Sequence, residues 1–293
     1  MNTILATMRL PFLILTPVCI FLGVSIAIFQ GIQVNVSTVI LIALAALSSH
    51  ISVNTLNEYF DFKSGLDAMT QRTPFSGGSG ALVANPQSLS HVLIVGMFTL
   101  CVTVLIGLYF VYQLGFEVLP IGFIGVILIV TYTSWINKSP MICLIAPGLG
   151  FGILFVVGTV YVLSGEFAQL SWYLALVPFF LVNNLLLLNQ YPDIKADQKV
   201  GRNHVPIAYG VKTASIIYTV FSLLTFGLII VLVTLGVIPK LSLIALLPFP
   251  LAINAIRGAF RYGEHIGQYP QILAMNVITT LSVPLLLGIS LLL

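Results

Sequence analysis

Long apolar runs separated by short polar breaks dominate the chain. They fall at residues 10–29, 36–56, 91–113, 117–135, 142–164, 171–190, 213–237, 240–256 and 271–293. A helix needs about 20 apolar residues to cross a bilayer. The runs are unbroken rather than alternating with period two, which selects helices over barrel strands. Irregular backbone cannot face hydrocarbon, so each run is expected to close its own hydrogen bonds as an α-helix. The pattern predicts an all-α integral membrane protein of about nine transmembrane helices, in one domain over residues 1–293. Leu10 to Phe29 is read as the first helix, too long for a signal-peptide core and followed by no small-residue cleavage site.

Composition agrees. Charged residues make up 6% of the chain, against about 25% in soluble domains, too few to cover a water-facing surface. The net charge of +3 is too small to argue for nucleic acid. Cys19, Cys101 and Cys143 all lie in apolar runs without metal-ligand spacing and read as small core residues.

The few charges are not scattered. With a cytoplasmic N-terminus, every Lys and Arg except Lys240 falls in an inside segment. This asymmetry predicts an N-in, C-out, multi-pass protein of the plasma or inner membrane. Of the eight acidic residues, Glu58, Asp61 and Asp67 form one cluster and Asp193 and Asp197 a second. Each cluster follows a long apolar run on the inside face. Carboxylates at a membrane boundary are costly unless paired or metal-bound.

The first cluster reads Asn57-Glu-Tyr-Phe-Asp61-Phe-Lys-Ser-Gly65-Leu-Asp67, and the second Asn189-Gln-Tyr-Pro-Asp193-Ile-Lys-Ala-Asp197-Gln-Lys199-Val-Gly-Arg202. Both carry Asn-x-x-x-Asp with an aromatic between. The chain therefore reads as two pseudo-repeat halves, with motif one near 57–80 and motif two near 189–202, each supplying one wall of a single site. Helical spacing puts Asn57 with Asp61 on one face, and Asn189 with Asp193 and Asp197 on another, although Pro192 should kink the second. Gly65 is expected to end the first helix, with Asp67 curling back from the loop. Oxygen ligands of this kind suit Mg²⁺, which takes one or two carboxylates together with substrate phosphates. Arg72, Lys195, Lys199 and Arg202 suit phosphate oxygens. The Ser76-Gly-Gly-Ser-Gly80 run offers backbone N–H groups to an anion, or is a flexible connection; it does not match a P-loop. A Mg²⁺–diphosphate site in a lipid-embedded bundle implies an amphiphilic substrate, and prenyl diphosphates fit.

These motifs, placed after the second and sixth helices, resemble those of the UbiA superfamily of intramembrane prenyltransferases. Asn57, Asp61 and Asp67 match the first family motif, and Asn189, Asp193 and Asp197 the second. The spacing from Asp61 to Asp67 is similar to the 1,4-dihydroxy-2-naphthoate (menaquinone) branch. The resemblance implies a UbiA-like bundle and Mg²⁺-dependent transfer of a prenyl group from a prenyl diphosphate to an aromatic acceptor. It implies that Asp61, Asp67, Asp193 and Asp197 are the catalytic, metal-holding carboxylates. Arg9 resembles a family arginine that contacts diphosphate, with Asn57, Arg72, Asn189, Lys199 and Arg202 assisting. Tyr132 followed by Lys138 resembles in part a Tyr/Lys loop of the family. Tyr59, Phe60, Tyr132 and Tyr191 are candidates to face the allylic cation or the acceptor. The alternatives are a transporter for a divalent cation or anionic solute, or a UbiA-type enzyme with a non-aromatic acceptor. His50 lies inside the second helix as either a site residue or a packing histidine. Asn183 and Asn184 either line the cavity or bond neighbouring helices.

Overall fold

A computed structural model describes residues 3–293, and among these residues there is no strand. Among the described residues eight helices are long and apolar enough to cross a membrane, and a shorter apolar helix at Phe116–Thr131 stands where the fourth run was expected. In chain order the principal helices are α1 (Leu15–Phe29), α2 (Val36–Lys63), α3 (Leu89–Leu114), α4 (Leu119–Thr131), α5 (Pro140–Ser164), α6 (Gln169–Asn189), α7 (Val205–Thr234), α8 (Phe249–Tyr262) and α9 (Pro270–Leu292).

Local chemistry sets their ends. The Asn35 side chain accepts from the Ser37 N–H at 2.9 Å and caps α2. Pro140 and Pro270 open α5 and α9, where a missing N–H costs nothing. Gly165, in the left-handed region, closes α5. Three helix boundaries depart from the apolar runs. The second helix outruns its apolar stretch, which ends at residue 56, and reaches Lys63, so Asn57 and Asp61 are helical and the helix stops just before Gly65 as expected. The fourth stops at Thr131, leaving Tyr132 to lead a turn. The seventh begins early but is broken at Gly210 (φ 81°), so its continuous part starts near the expected position.

Lipid is as apolar as a leucine side chain, so the helices are held by close packing and interhelical hydrogen bonds. Leu22, Ile26, Val156, Leu181, Ile229 and Leu287 form the main core among α1, α5, α6, α7 and α9. Phe98, Leu105, Phe123 and Leu223 are exposed, as a lipid-facing surface requires. Asn184 Nδ2 donates to the Tyr218 carbonyl at 2.8 Å, and Tyr218 Oη donates to Asn276 Oδ1 at 2.9 Å. Asn184 therefore ties α6 to α7 and α9.

The middle of α5, Leu149–Val157, is a π-helical stretch. Two residues explain it. Pro147 has no N–H to donate, and the next donor, Gly148 N–H, leaves the helix ladder for Asn183 Oδ1 at 2.6 Å. Gly148 and Gly152 also lie flat against α6, where a Cβ on either would collide with the backbone of Phe179.

Candidate active site

A cavity of about 640 Å³ runs down the bundle. Its polar mouth is lined by Arg9, Asn57, Asp61, Asp67, Ser76, Gly77, Tyr132, Asn137, Asn189, Asp193, Asp197, Arg202 and His204. Ile20, Ile42, Phe110, Val118 and Phe155 line its apolar depth. Asp61 and Ile42 both face it from α2, which at 1.5 Å rise per residue makes the cavity about 28 Å deep. On the same face of α2 stand His50, Asn54 and Asn57, at helical spacing with Asp61.

The two motifs meet at this mouth. Arg202 of motif two forms ion pairs with Asp61 of motif one and, at 3.0 Å, with Asp197 of its own motif. The other Asp197 oxygen contacts His204 Nε2 at 2.9 Å. Gly77 N–H donates to Asp193 Oδ2 at 3.1 Å, so the glycine-rich run touches motif two as well. Arg9 lies at a left-handed turn (φ 54°) before α1 and pairs with Glu58 at 2.8 Å.

The backbone realises the two motifs differently. Asn57 and Asp61 do share a face of α2. The second motif is not one continuous face: α6 ends at Asn189, a turn carries the chain through Pro192, and Asp193 precedes a short helix, Ile194–Lys199, that bears Asp197. Gly65, left-handed at φ 78°, marks the end of α2, and Asp67 turns back into the mouth.

Several residues expected at the site lie elsewhere. Tyr59 is two residues from both Asn57 and Asp61, on another side of the helix, where Lys63 lies over its ring. Phe60 is exposed beside it. Tyr191 is wholly buried in a core cluster and its hydroxyl pairs with Ser215 Oγ at 3.0 Å. Lys138 and Lys199 are exposed and do not line the cavity. Lys195 faces Glu264. Arg72 is exposed and donates to the Asp67 carbonyl at 3.1 Å, behind the carboxylate rather than in the mouth. Tyr132 does line the mouth, beside Asn137.

Three residues at or beside the mouth were not among the expected site residues. Glu58 belonged to the first acidic cluster but not to the matched motif. His204 and Asn137 had no distinguishing pattern, although Asn137 adjoins Lys138. His50 now has a place: its Nδ1 pairs with Thr16 Oγ1 at 2.8 Å, its ring edge meets Phe151, and it lines the cavity. Asn183 instead serves the α5–α6 contact described above.

The electrostatics divide the carboxylates. Burial, reinforced by the charges of Glu58 and Asp61, pushes the Asp67 carboxyl up to about 7. Burial and the Asp197 charge push Asp193 up to about 7 as well, against the Gly77 N–H. Asp67 Oδ2, Asp193 Oδ1, Asn137 Oδ1 and Asn189 Oδ1 are buried oxygens without a hydrogen-bond partner, all on residues that line the mouth. Burial opposes the charge of Arg202, but Asp61 and Asp197 hold its pKa above the usual arginine value. Among the described residues no three His, Cys, Asp or Glu groups stand close enough to form a ready metal cage. The donor set nevertheless fits a hard divalent cation: besides His204 Nδ1, the unpartnered buried atoms at the mouth are four oxygens, two of them on carboxylates.

Residues 16–266 match the model of the UbiA prenyltransferase family. The chain belongs to the UbiA prenyltransferase family. This membership makes it a prenyltransferase and sets aside the transport alternative. It is 26% identical over 248 residues to the 1,4-dihydroxy-2-naphthoate octaprenyltransferase of Bacillus subtilis, covering 82% of this chain and 76% of that one. A solved digeranylgeranylglyceryl phosphate synthase superposes with a TM-score of 0.68 at 16% identity, over 99% of this chain and 98% of that one. A UbiA homologue from Archaeoglobus fulgidus, solved with DMAPP and Mg²⁺, gives 0.65 at 15% identity over 99% of both chains. The UbiA fold of this membrane enzyme is thus shared along essentially its whole length.

Proposed function

We propose that this enzyme transfers a prenyl group from a prenyl diphosphate to an aromatic acceptor of the 1,4-dihydroxy-2-naphthoate type, with Mg²⁺. One observation carries the reading. Two acidic motifs far apart in sequence converge, with unpartnered oxygens, at the mouth of a deep apolar cavity. A diphosphate head belongs at such a mouth and a hydrocarbon tail in such a depth. The naphthoate relative supports the acceptor class, and the homologues solved with DMAPP or GPP and Mg²⁺ support the donor and the metal.

Mg²⁺ held among Asp61, Asp67, Asp193 and Asp197 would neutralise charge on the departing diphosphate. Arg9 and Arg202 line the same mouth and donate to phosphate oxygens, while Asn57 and Asn189 orient them. The C1–O bond of the donor breaks with its electron pair leaving on the diphosphate. The allylic cation is sheltered by a dry cavity, with Tyr132 at its edge. A ring carbon of the acceptor supplies the electrons for the new C–C bond, and the ring regains aromaticity by losing a proton, or carbon dioxide where a carboxylate stood. The basic residues of the loops support a mouth on the cytoplasmic side of the membrane.

The test is a purified-enzyme assay with labelled geranyl diphosphate, Mg²⁺ and 1,4-dihydroxy-2-naphthoate. The expected result is a Mg²⁺-dependent prenylated naphthalene that disappears in Asp61→Ala. Full activity of a folded Asp61→Ala protein refutes the reading.

A further inference from the structure

Glu58 is wholly buried, yet it is neither aimed at the cavity nor among the residues that line it. Every bond it makes goes to a neighbour of the site. Its Oε1 accepts from Arg9 Nε at 2.9 Å and from Ser79 N–H at 2.8 Å, and its Oε2 accepts from Ser79 Oγ at 2.6 Å. Arg9 keeps its place on the cavity wall while tied in this way.

Ser79 lies in the glycine-rich run, and the rest of that run is fixed as firmly. Thr73 Oγ1 accepts from the Ser76 N–H at 2.9 Å and from the Phe75 N–H at 3.1 Å, which folds the start of the run into a tight turn. Phe75 packs into the core cluster that holds Tyr191 and Ile266, on the motif-two side. Gly77 then donates to Asp193. Gly78 lies against Asp67: at φ 71°, a Cβ there would meet Asp67 Oδ1 at 2.8 Å. The run therefore crosses from motif two to motif one, touching Asp193, Asp67 and Glu58 in turn. A flexible connection has none of these anchors.

We propose that Glu58 is a positioning residue for the diphosphate site: it holds Arg9 toward the cavity and clamps the Ser76–Gly80 strap that spaces Asp67 from Asp193. Glu58 contacts no substrate in this scheme. It acts through Arg9 on one side and Ser79 on the other. The proposal rests on the diphosphate reading above and concerns only how that head is gripped, whichever acceptor follows.

The experiment measures binding of an unreactive donor, geranyl thiolodiphosphate with Mg²⁺, by titration calorimetry on detergent-purified protein. Glu58→Gln is expected to weaken binding roughly tenfold, and Ser79→Ala roughly threefold. In an Arg9→Ala background, Glu58→Gln is expected to add less than about twofold, because the residue acts through a partner already gone. Thermal melting establishes which variants fold. Ser79→Ala, which removes one hydroxyl and leaves the Arg9 pair intact, carries the test if Glu58→Gln does not fold. Folded variants that bind as tightly as the parent overturn the proposal, even if they melt earlier, because Glu58 would then be structural cement alone. So do Arg9 and Glu58 effects that simply multiply. A parent enzyme that binds the analogue but prenylates no naphthoate leaves this inference standing and removes the acceptor assignment instead.

Discussion

In motif one, α2 runs unbroken through Asn57 and Asp61, and only after Gly65 does the chain turn Asp67 back into the mouth. In motif two, α6 stops at Asn189, and both Asp193 and Asp197 are delivered from beyond it by a turn and a short helix. The sequences are alike and the backbones are not. The outcome is nevertheless similar. Each motif contributes one carboxylate already engaged by Arg202, namely Asp61 and Asp197, and one with an unpartnered oxygen, namely Asp67 and Asp193. What the two regions share is a charge pattern around a common cavity, reached by different local folds.

If the free oxygens are the working ones, removing their charge costs most. Asp67→Asn and Asp193→Asn are each expected to lower kcat by about 10²–10³-fold in the prenyl-transfer assay. Similar losses from both would support the equivalence of the two motifs, whereas a near-silent Asp67→Asn would break it. Arg202→Met should act on stability before chemistry. It leaves Asp61 and Asp197 facing each other without a cation, and breaking a buried pair costs about 3–5 kcal/mol. Chemical denaturation in detergent, without Mg²⁺, reads this directly.

A pH series sharpens the same contrast. Asp67 and Asp193 hold their protons up to about 7 in the folded protein, while an unfolded aspartate releases its proton near 3.9. Between about pH 4 and 7 the folded state therefore binds more protons than the unfolded one, and stability falls as pH rises through that window. The melting temperature in Mg²⁺-free buffer should decline from pH 4 to 7 and then level off. Activity with Mg²⁺ should rise over the upper part of the same range, because metal binding needs the deprotonated groups. The smallest effect is expected from Tyr191→Phe. It forfeits the hydroxyl's bond with Ser215 and its longer one to the Val211 carbonyl, about 1 kcal/mol together, and should leave the KM for the donor unchanged, because Tyr191 lies outside the cavity.

Hydrophobic runs were legible in the sequence because a bilayer demands them one helix at a time. The acid clusters were legible because charge is scarce in such a chain. Side-chain direction was not. Tyr59 and Tyr191 looked like cavity residues by proximity to the motifs, but helix phase turned one toward Lys63, and a polar partner in α7 drew the other into the core. Asp193 was expected on the face of α6, and Pro192 sits in the turn that removed it from that helix. His204 and Asn137 gave no pattern to read, because their placement depends on segments brought together only in three dimensions. Arg9 was found by its position before the first helix, but its partner, Glu58, sat in plain view as one acid among several.

The wide-turned stretch in α5 carries a consequence for how this gene tolerates length changes. Pro147, Phe151, Phe155 and Thr159 all border the cavity, a run of every fourth residue that an ordinary helix of 3.6 residues per turn would swing progressively out of line. The looser winding of Leu149–Val157 absorbs that drift. Deleting a single codon within it should tighten the wide turn to an ordinary one and leave the flanking turns in phase, whereas a deletion elsewhere in α5 rotates everything beyond it by about 100°. A one-residue deletion ought to be forgiven there more often than in the regular turns on either side.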